Sequence, residues 1–487
     1  MLNKTKRLLA IMLAVALVFS LVGCSKAQDD GSSVIVQEEI VYEYQDGETS
    51  GGNGTTSGGT TQQGGTTGKK PGSTTSGTTP TGGVNPADYK GTTIQFASTI
   101  DPKDDGTDYV VKNFKKKYGI TVKIVACTLE NYGNEMAGLI AAGKAPTVGR
   151  SNGDFPAFLG YFQSLDAAKI DYTDPIWNQT TFKKTTYNGA PYLCDTVGNF
   201  WTELDLVVYS KSILKRAGCP TPEELDKEGN WNFDTYLEIG KKVKEAPIGV
   251  DGVTFGNYDV VLNIGGGSTF KLDSTNHVTN GIDAQTTSIF QKYATAKDAG
   301  YVNNKGLPGF MQGMSAMCTE HLWVLRTDGS LAKYSNRNDL GFYYLPAAEK
   351  GGKSVVTGIF RGWGIMKGCN ENPATGPKSA VAGGLFLKEY LDVNNYNLDT
   401  SFISEDAKTF FFKVTSKYAE AGDSYNPYLT YNNLNTGITG LNYNADIYTA
   451  MFQSPSQVPS LMAAVTSKAQ NGTDKINKFI DNALSSR

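Results

Sequence analysis

Asn199-Phe200-Trp201-Thr202-Glu203-Leu204-Asp205-Leu206-Val207-Val208-Tyr209-Ser210-Lys211-Ser212-Ile213-Leu214-Lys215-Arg216-Ala217-Gly218 is the stretch on which the fold turns. Phe200, Thr202, Leu204 and Leu206 alternate with Trp201, Glu203 and Asp205, the two-residue period of a strand with unlike faces. Residues 206–209 then read as a buried strand. After Ser210 the spacing turns helical, with Ile213, Leu214 and Ala217 on one face and Gly218 as the expected C-cap. A polar strand end, a buried strand and a helix suit a chain crossing between two lobes, with Trp201 and Glu203 at the crossing. One more buried strand in a single α/β domain is the other reading of this segment.

On the N-terminal side, residues 93–97 alternate as a first strand, and Tyr109, Val110, Phe114 and Tyr118 mark the apolar face of a helix that Gly119 ends. Residues 120–125 form the next strand, and strand–helix–strand puts a parallel pair in the sheet. A second helix is expected over 131–143 and a third strand after Pro146. Ligands of open α/β sheets sit at the carboxyl ends of strands, where Asp154 is placed to accept hydroxyl hydrogen bonds. The competing reading makes Asp154 an N-cap for a helix starting near Phe155. Asp101, in the loop after the first strand, joins it as a ligand-binding candidate. Tyr187-Asn188-Gly189-Ala190-Pro191-Tyr192 reads as a hairpin turn.

Residues 207–214, followed by Ala217-Gly218 and Pro222, resemble a segment of extracellular solute-binding proteins of the maltose-binding type, with Ser210 where Asn is usual. In that family the segment is the first crossing between lobes. Further matches follow in order. Lys144-Ala145-Pro146-Thr147-Val148 resembles the entry to the third strand, with Thr147 in place of Asp. Trp231 resembles a Trp that packs before a helix. Ala316-Met317 through Trp323 resembles the segment that presents a Trp as a platform for a sugar ring, with Glu320-His321-Leu322 replacing a Gly-containing turn. Residues 339–346 resemble a strand ending in Leu-Pro. Residues 355–368 resemble the second crossing and make Trp363 a second cleft candidate. Residues 443–450, with Tyr448, resemble a C-terminal helix that brings an aromatic to the cleft. Tyr258 is a further candidate aromatic, on a strand or helix running into Gly265-Gly266-Gly267.

The N-terminus carries a different signal. Lys4, Lys6 and Arg7 precede an apolar run from Leu8 to Leu21 that is short for a bilayer span. Leu21-Val22-Gly23-Cys24 fits a bacterial lipobox, so residues 1–23 read as a signal peptide and Cys24 as the lipid anchor. Removing those three cations takes the formal net charge from −3 to −6, which argues against nucleic acid and against a polybasic membrane patch. Residues 24–87 read as an acidic segment and then a Gly/Ser/Thr-rich tether with too few apolar groups to fold. Cys127, Cys194, Cys219, Cys318 and Cys369 show no zinc or disulfide spacing, and His277 and His321 lie far apart, so a metal or His-based catalytic cluster is not expected.

The resemblance therefore implies an α/β, two-lobed periplasmic-binding-protein fold of type II, each lobe a sheet flanked by helices. The expected division is 88–204 with 360–410, and 205–359 with 411–487. It implies a monomeric lipid-anchored subunit that captures a carbohydrate and delivers it to the permease subunits of an ABC importer, without cofactor or catalysis. The ligand-binding set is Asp101, Asp154, Trp201, Glu203, Tyr258, Trp323, Trp363 and Tyr448. The same fold binding a peptide, a polyol or an acidic sugar is an alternative, and Arg150, Arg326 and Arg361 keep acidic sugars open. An exported glycan-active enzyme using Glu203 and Asp154 is the rival class.

Overall fold

Alternating apolar residues build one sheet from the N-terminal half of the chain. The structure, a computed structural model, describes residues 83–99, 106–128, 131–152, 155–199, 203–256, 259–354, 356–359, 361–420 and 452–485, together with β1 (Val41–Tyr42). β2 (Thr93–Ser98) buries Ile94, Phe96 and Ala97 completely. The chain then winds into α1 (Thr107–Tyr118), which buries Val110, Val111 and Phe114. Tyr109 is not on that inward face: it is 53% exposed, and Val111 takes the place the spacing gave it. Gly119 ends the helix at φ 66°, its N–H donating to the Lys115 carbonyl at 2.8 Å. β3 (Thr121–Ala126) follows and runs parallel to β2 from Thr93–Thr121 to Ser98–Ala126.

α2 (Tyr132–Ala141) leads to β4 (Val148–Asn152), parallel to β2. Thr147 completes that junction, since its hydroxyl accepts the Gln95 N–H at 3.1 Å. Phe155 opens turns and a 3-10 segment at 159–161, so the helix expected there does not form. β5 (Phe162–Gln163) and the hairpin of β6 (Thr186–Tyr187) and β7 (Ala190–Pro191) follow. Asn188 and Gly189 take φ 50° and 82°, the pair of positive values that a tight two-residue turn needs.

β8 (Glu203–Ser210) starts the second sheet and is buried along nearly its whole length. The Ser210 hydroxyl accepts the Ile213 N–H at 3.2 Å and so caps α3 (Lys211–Arg216). Gly218, at φ 64°, closes the helix as expected: Cys219 N–H reaches the Leu214 carbonyl at 2.9 Å. α4 (Phe233–Glu245), β9 (Val253–Phe255), α5 (Asp259–Asn263), the hairpin β10 (Phe270–Leu272) and β11 (Val278–Asn280), α6 (Ala284–Asp298), β12 (Val302–Asn303), β13 (Met317–His321) and β14 (Leu340–Tyr343) complete this half. The sheet order is β12-β9-β13-β8-β14, with β8 antiparallel to both neighbours. Trp231 is buried ahead of α4, its Nε1–H donating to the Tyr344 carbonyl at 2.9 Å.

The chain returns abruptly. β15 (Gly358–Ile359) pairs with the start of β8, Gly358 opposite Leu204 and Ile359 opposite Glu203. β16 (Arg361–Met366) already pairs with β4 in the first sheet, Arg361 opposite Asn152. Glycine is required at 358, because a Cβ there would lie 2.2 Å from the Glu203 carbonyl oxygen. The first sheet then has the order β1-β3-β2-β4-β16-β5 and is covered by α7 (Ser379–Leu391).

α8 (Glu405–Glu420) packs on β14, with Phe410 against Phe342 and Tyr344 at ring-centroid distances of 6.1 and 5.7 Å. The same helix also touches residues 179–184 of the N-terminal half, where the Thr181 and Tyr418 hydroxyls lie 3.5 Å apart. α9 (Val458–Ser485) lies on α6 and β11, where the Asn477 side-chain amide exchanges two hydrogen bonds with the Val278 backbone at 2.8 and 2.9 Å. Among the described residues no helix is long and apolar enough to cross a membrane.

Candidate functional site

The carboxyl ends of β2, β3 and β4 point the same way, and they deliver Thr99, Cys127 and the segment 150–152 to one edge of the first sheet. Arg361 joins them because β16 runs antiparallel to β4 and begins there. β8 begins with Glu203, so both passages between the sheets open beside this edge. Glu203 Oε1 lies 2.6 Å from Arg361 Nη1, with the two side chains 18% and 16% exposed. The carboxylate predicted to meet ligand is thus held by a guanidinium from the other sheet.

Asp205, two residues into β8, is only 1% exposed. It accepts from Nδ1 of His321 at 2.7 Å and from the Asn263 side-chain amide at 2.8 Å. β13 makes this possible by pairing His321 opposite Asp205. A buried carboxylate with two such donors is compensated and fixes the ends of β8, β13 and α5 to each other. The sequence reading missed this trio. Its one signal was an Asp on the inner side of a strand that otherwise buries Leu, Val and Tyr.

The turn 322–325 continues β13 and packs against β8. Trp323 on that turn is half-buried, whereas Leu322, Val324 and Leu325 are enclosed. An amphipathic ring with one side packed and the other open is suited to stacking. Trp363 is placed differently. It is 3% exposed, with its ring 5.3 Å from Phe96 and 5.0 Å from Tyr390. The sequence reading of Trp363 as a cleft platform gives way to a core role, since β16 turns that residue toward the helix-covered face. Asp101, Asp154, Trp201, Tyr258, Tyr448 and Cys24 lie outside the described residues.

Just before the first passage, Asp195 is buried at 1% exposure. Burial pushes its carboxyl up to about 8, against the opposing hydrogen bonds from the Thr196 N–H and the Asn199 amide. A separate cavity of ≈ 570 Å³ is bordered by Tyr109, Asn113, Tyr396 and the Arg326–Asp328 pair, in which Nε and Nη2 hold both carboxylate oxygens at 2.9 and 2.6 Å. Of the residues singled out from sequence for ligand, only Arg326 lines it, among the described residues. Among the described residues no group of three His, Cys, Asp or Glu is placed to hold a metal ion.

Solved structures share this architecture of two lobes. The galacto-N-biose-/lacto-N-biose I-binding protein of the ABC transporter from Bifidobacterium longum superposes with a TM-score of 0.55 at 13% identity, covering 80% of this chain and 97% of that one. The sugar-binding protein MalE from Xanthomonas citri gives 0.55 at 14% identity, covering 80% and 98%. The cyclic alpha-maltosyl-1,6-maltose binding protein from Arthrobacter globiformis gives 0.53 at 12%, covering 80% and 99%. At such identities the likeness is one of fold, the two-lobed type II periplasmic-binding-protein fold. No curated protein matches the chain by sequence. Residues 109–376 match the family described as bacterial extracellular solute-binding protein, more than half of the chain. The chain belongs to the bacterial extracellular solute-binding proteins.

Proposed function

We propose that this protein captures a carbohydrate, an oligosaccharide, between its two lobes and delivers it to the permease subunits of an ABC importer. The observation that carries the reading is Trp323: a half-buried indole on the turn packed against β8, two residues after His321, which pairs opposite Asp205. Stacking one sugar ring on such a face contributes on the order of 1 kcal/mol, by analogy with aromatic pairs. Relatives of the same fold whose names state a sugar ligand support the choice of chemistry.

The reading is of a binder without turnover. Glu203 is engaged by Arg361, and Asp205 is enclosed by His321 and Asn263. A glycan-cleaving pair would need one carboxyl protonated and one free across a bond. The basic N-terminal segment, short apolar run and lipobox support a reading of Cys24 as the lipid attachment on the outer face of the membrane, with residues 24–87 as spacer. We assign a monomer. A ligand that binds only the native state raises the melting temperature. A thermal-shift screen of the chain from Cys24 onward against neutral and acidic oligosaccharides is therefore the test. At least one carbohydrate should raise the midpoint in a dose-dependent way. A panel that leaves it unmoved, while a peptide or polyol shifts it, would replace the carbohydrate assignment.

A further inference from the structure

Arg150 is a buried cation to which the described residues offer no carboxylate. It sits in β4 opposite Trp363 and is 7% exposed. Its Nη2 donates to the Thr99 hydroxyl, and its guanidinium carbon lies 5.9 Å from the Trp363 ring centroid. Its Nε is enclosed without an acceptor. Among the described residues no carboxylate forms an ion pair with it. Glu135, the acid beside neighbouring Cys127, is committed to the Thr128 N–H and hydroxyl at 2.9 and 2.8 Å. The other buried arginine, Arg326, is matched by Asp328, and the half-buried Arg361 by Glu203.

Taking a guanidinium out of water is unfavourable unless an anion and further hydrogen bonds offset it. A hydroxyl and a ring face repay part of that cost. The position supplies the reason for keeping the charge. Thr99 follows β2 and Cys127 follows β3, and Arg150, two residues before the end of β4, reaches the Thr99 hydroxyl, so the guanidinium lies at the joint carboxyl edge of three parallel strands, where ligands of such sheets sit. Guanidinium matches carboxylate in shape and charge, donating two parallel hydrogen bonds.

We propose that the ligand is an acidic carbohydrate, a uronate-containing oligosaccharide, whose carboxylate is bound by Arg150. This rests on the carbohydrate reading and narrows it. Neutral sugars lack the group that compensates the buried charge.

The test compares short galacturonate, glucuronate and mannuronate oligomers with their methyl esters, which keep the shape and remove the charge. Thermal shift and calorimetry are run on the wild-type chain, on Arg150→Met and on Arg150→Lys. At least one acid should bind at least about tenfold more tightly than its ester, since the charge-assisted pair is lost on esterification. Arg150→Met should erase that preference while leaving the unliganded melting temperature equal or higher. Arg150→Lys should keep part of the preference. The comparison of acid with ester on the wild-type chain needs no variant and stands even if a variant does not fold. Neutral oligosaccharides binding while no uronate does, or an acid preference that survives Arg150→Met, overturns this inference alone. Failure of every carbohydrate to bind removes the carbohydrate reading and this one with it.

Discussion

Glu203 Oε1 and Arg361 Nη1 stand 2.6 Å apart, and these residues are the first of β8 and β16, one in each sheet. The ion pair therefore joins the two places where the chain passes between lobes. Lobe closure in such folds rotates about a few residues at the crossings.

Removing one partner leaves the other short of charge in a mostly buried place. Glu203→Gln and Arg361→Met should each cost about 1–3 kcal/mol of stability, between the values for exposed and buried pairs. The double variant should cost less than the sum. Denaturant melts of the three variants and the wild type measure this coupling. Strictly additive losses would show that the pair contributes nothing as a pair.

Trp323 should behave as a platform and not as a core residue. Trp323→Ala should weaken binding of the best sugar by about 1–3 kcal/mol, in line with the loss of an aromatic anchor. Unliganded stability should fall by less than the roughly 3–5 kcal/mol expected for a fully buried Trp. Trp363→Ala, which empties the space between Phe96 and Tyr390, should show the reverse pattern. Calorimetry with denaturant melts separates the two, and unchanged affinity in Trp323→Ala would remove its stacking role.

Much of the framework was legible because local rules fixed it. Gly119 and Gly218 end their helices with positive φ, and Asn188-Gly189 forms its turn, each for reasons contained in a few residues. Trp363 was misplaced because its burial depends on Phe96 and Tyr390, which come from other elements. Asp205 and His321 are 116 residues apart, and only the β8–β13 register makes them partners. The place of Arg150 was equally hidden, since the absence of a carboxylate beside it among the described residues is a property of the packed chain.

Stability should also carry a pH signature from Asp195. Its folded-state pKa is raised to about 8 by burial, above the unfolded value of roughly 3.9. The native state therefore holds this proton more tightly than the unfolded chain does. The resulting stabilisation is fully present below about pH 4 and is lost as pH rises toward 8. Asp195→Asn keeps an acceptor for the Thr196 N–H and removes the titration. Melting curves from pH 5 to pH 8.5 should fall less steeply for the variant. Parallel curves would mean that Asp195 is ionised in the native state.

Attachment to the membrane is tested by Cys24→Ala. The variant should leave the membrane fraction without detergent, because the lipid is the proposed anchor. Complete retention would place the anchor elsewhere.

The claim that this chain binds a carbohydrate without transforming it is tested most directly by titration calorimetry with the sugar that gives the largest thermal shift, followed by chromatography of the ligand recovered after prolonged incubation. One saturable site per chain and an intact sugar are predicted. No saturable heat with any carbohydrate, or a recovered sugar that is cleaved by the wild type and spared by Glu203→Gln, would contradict it.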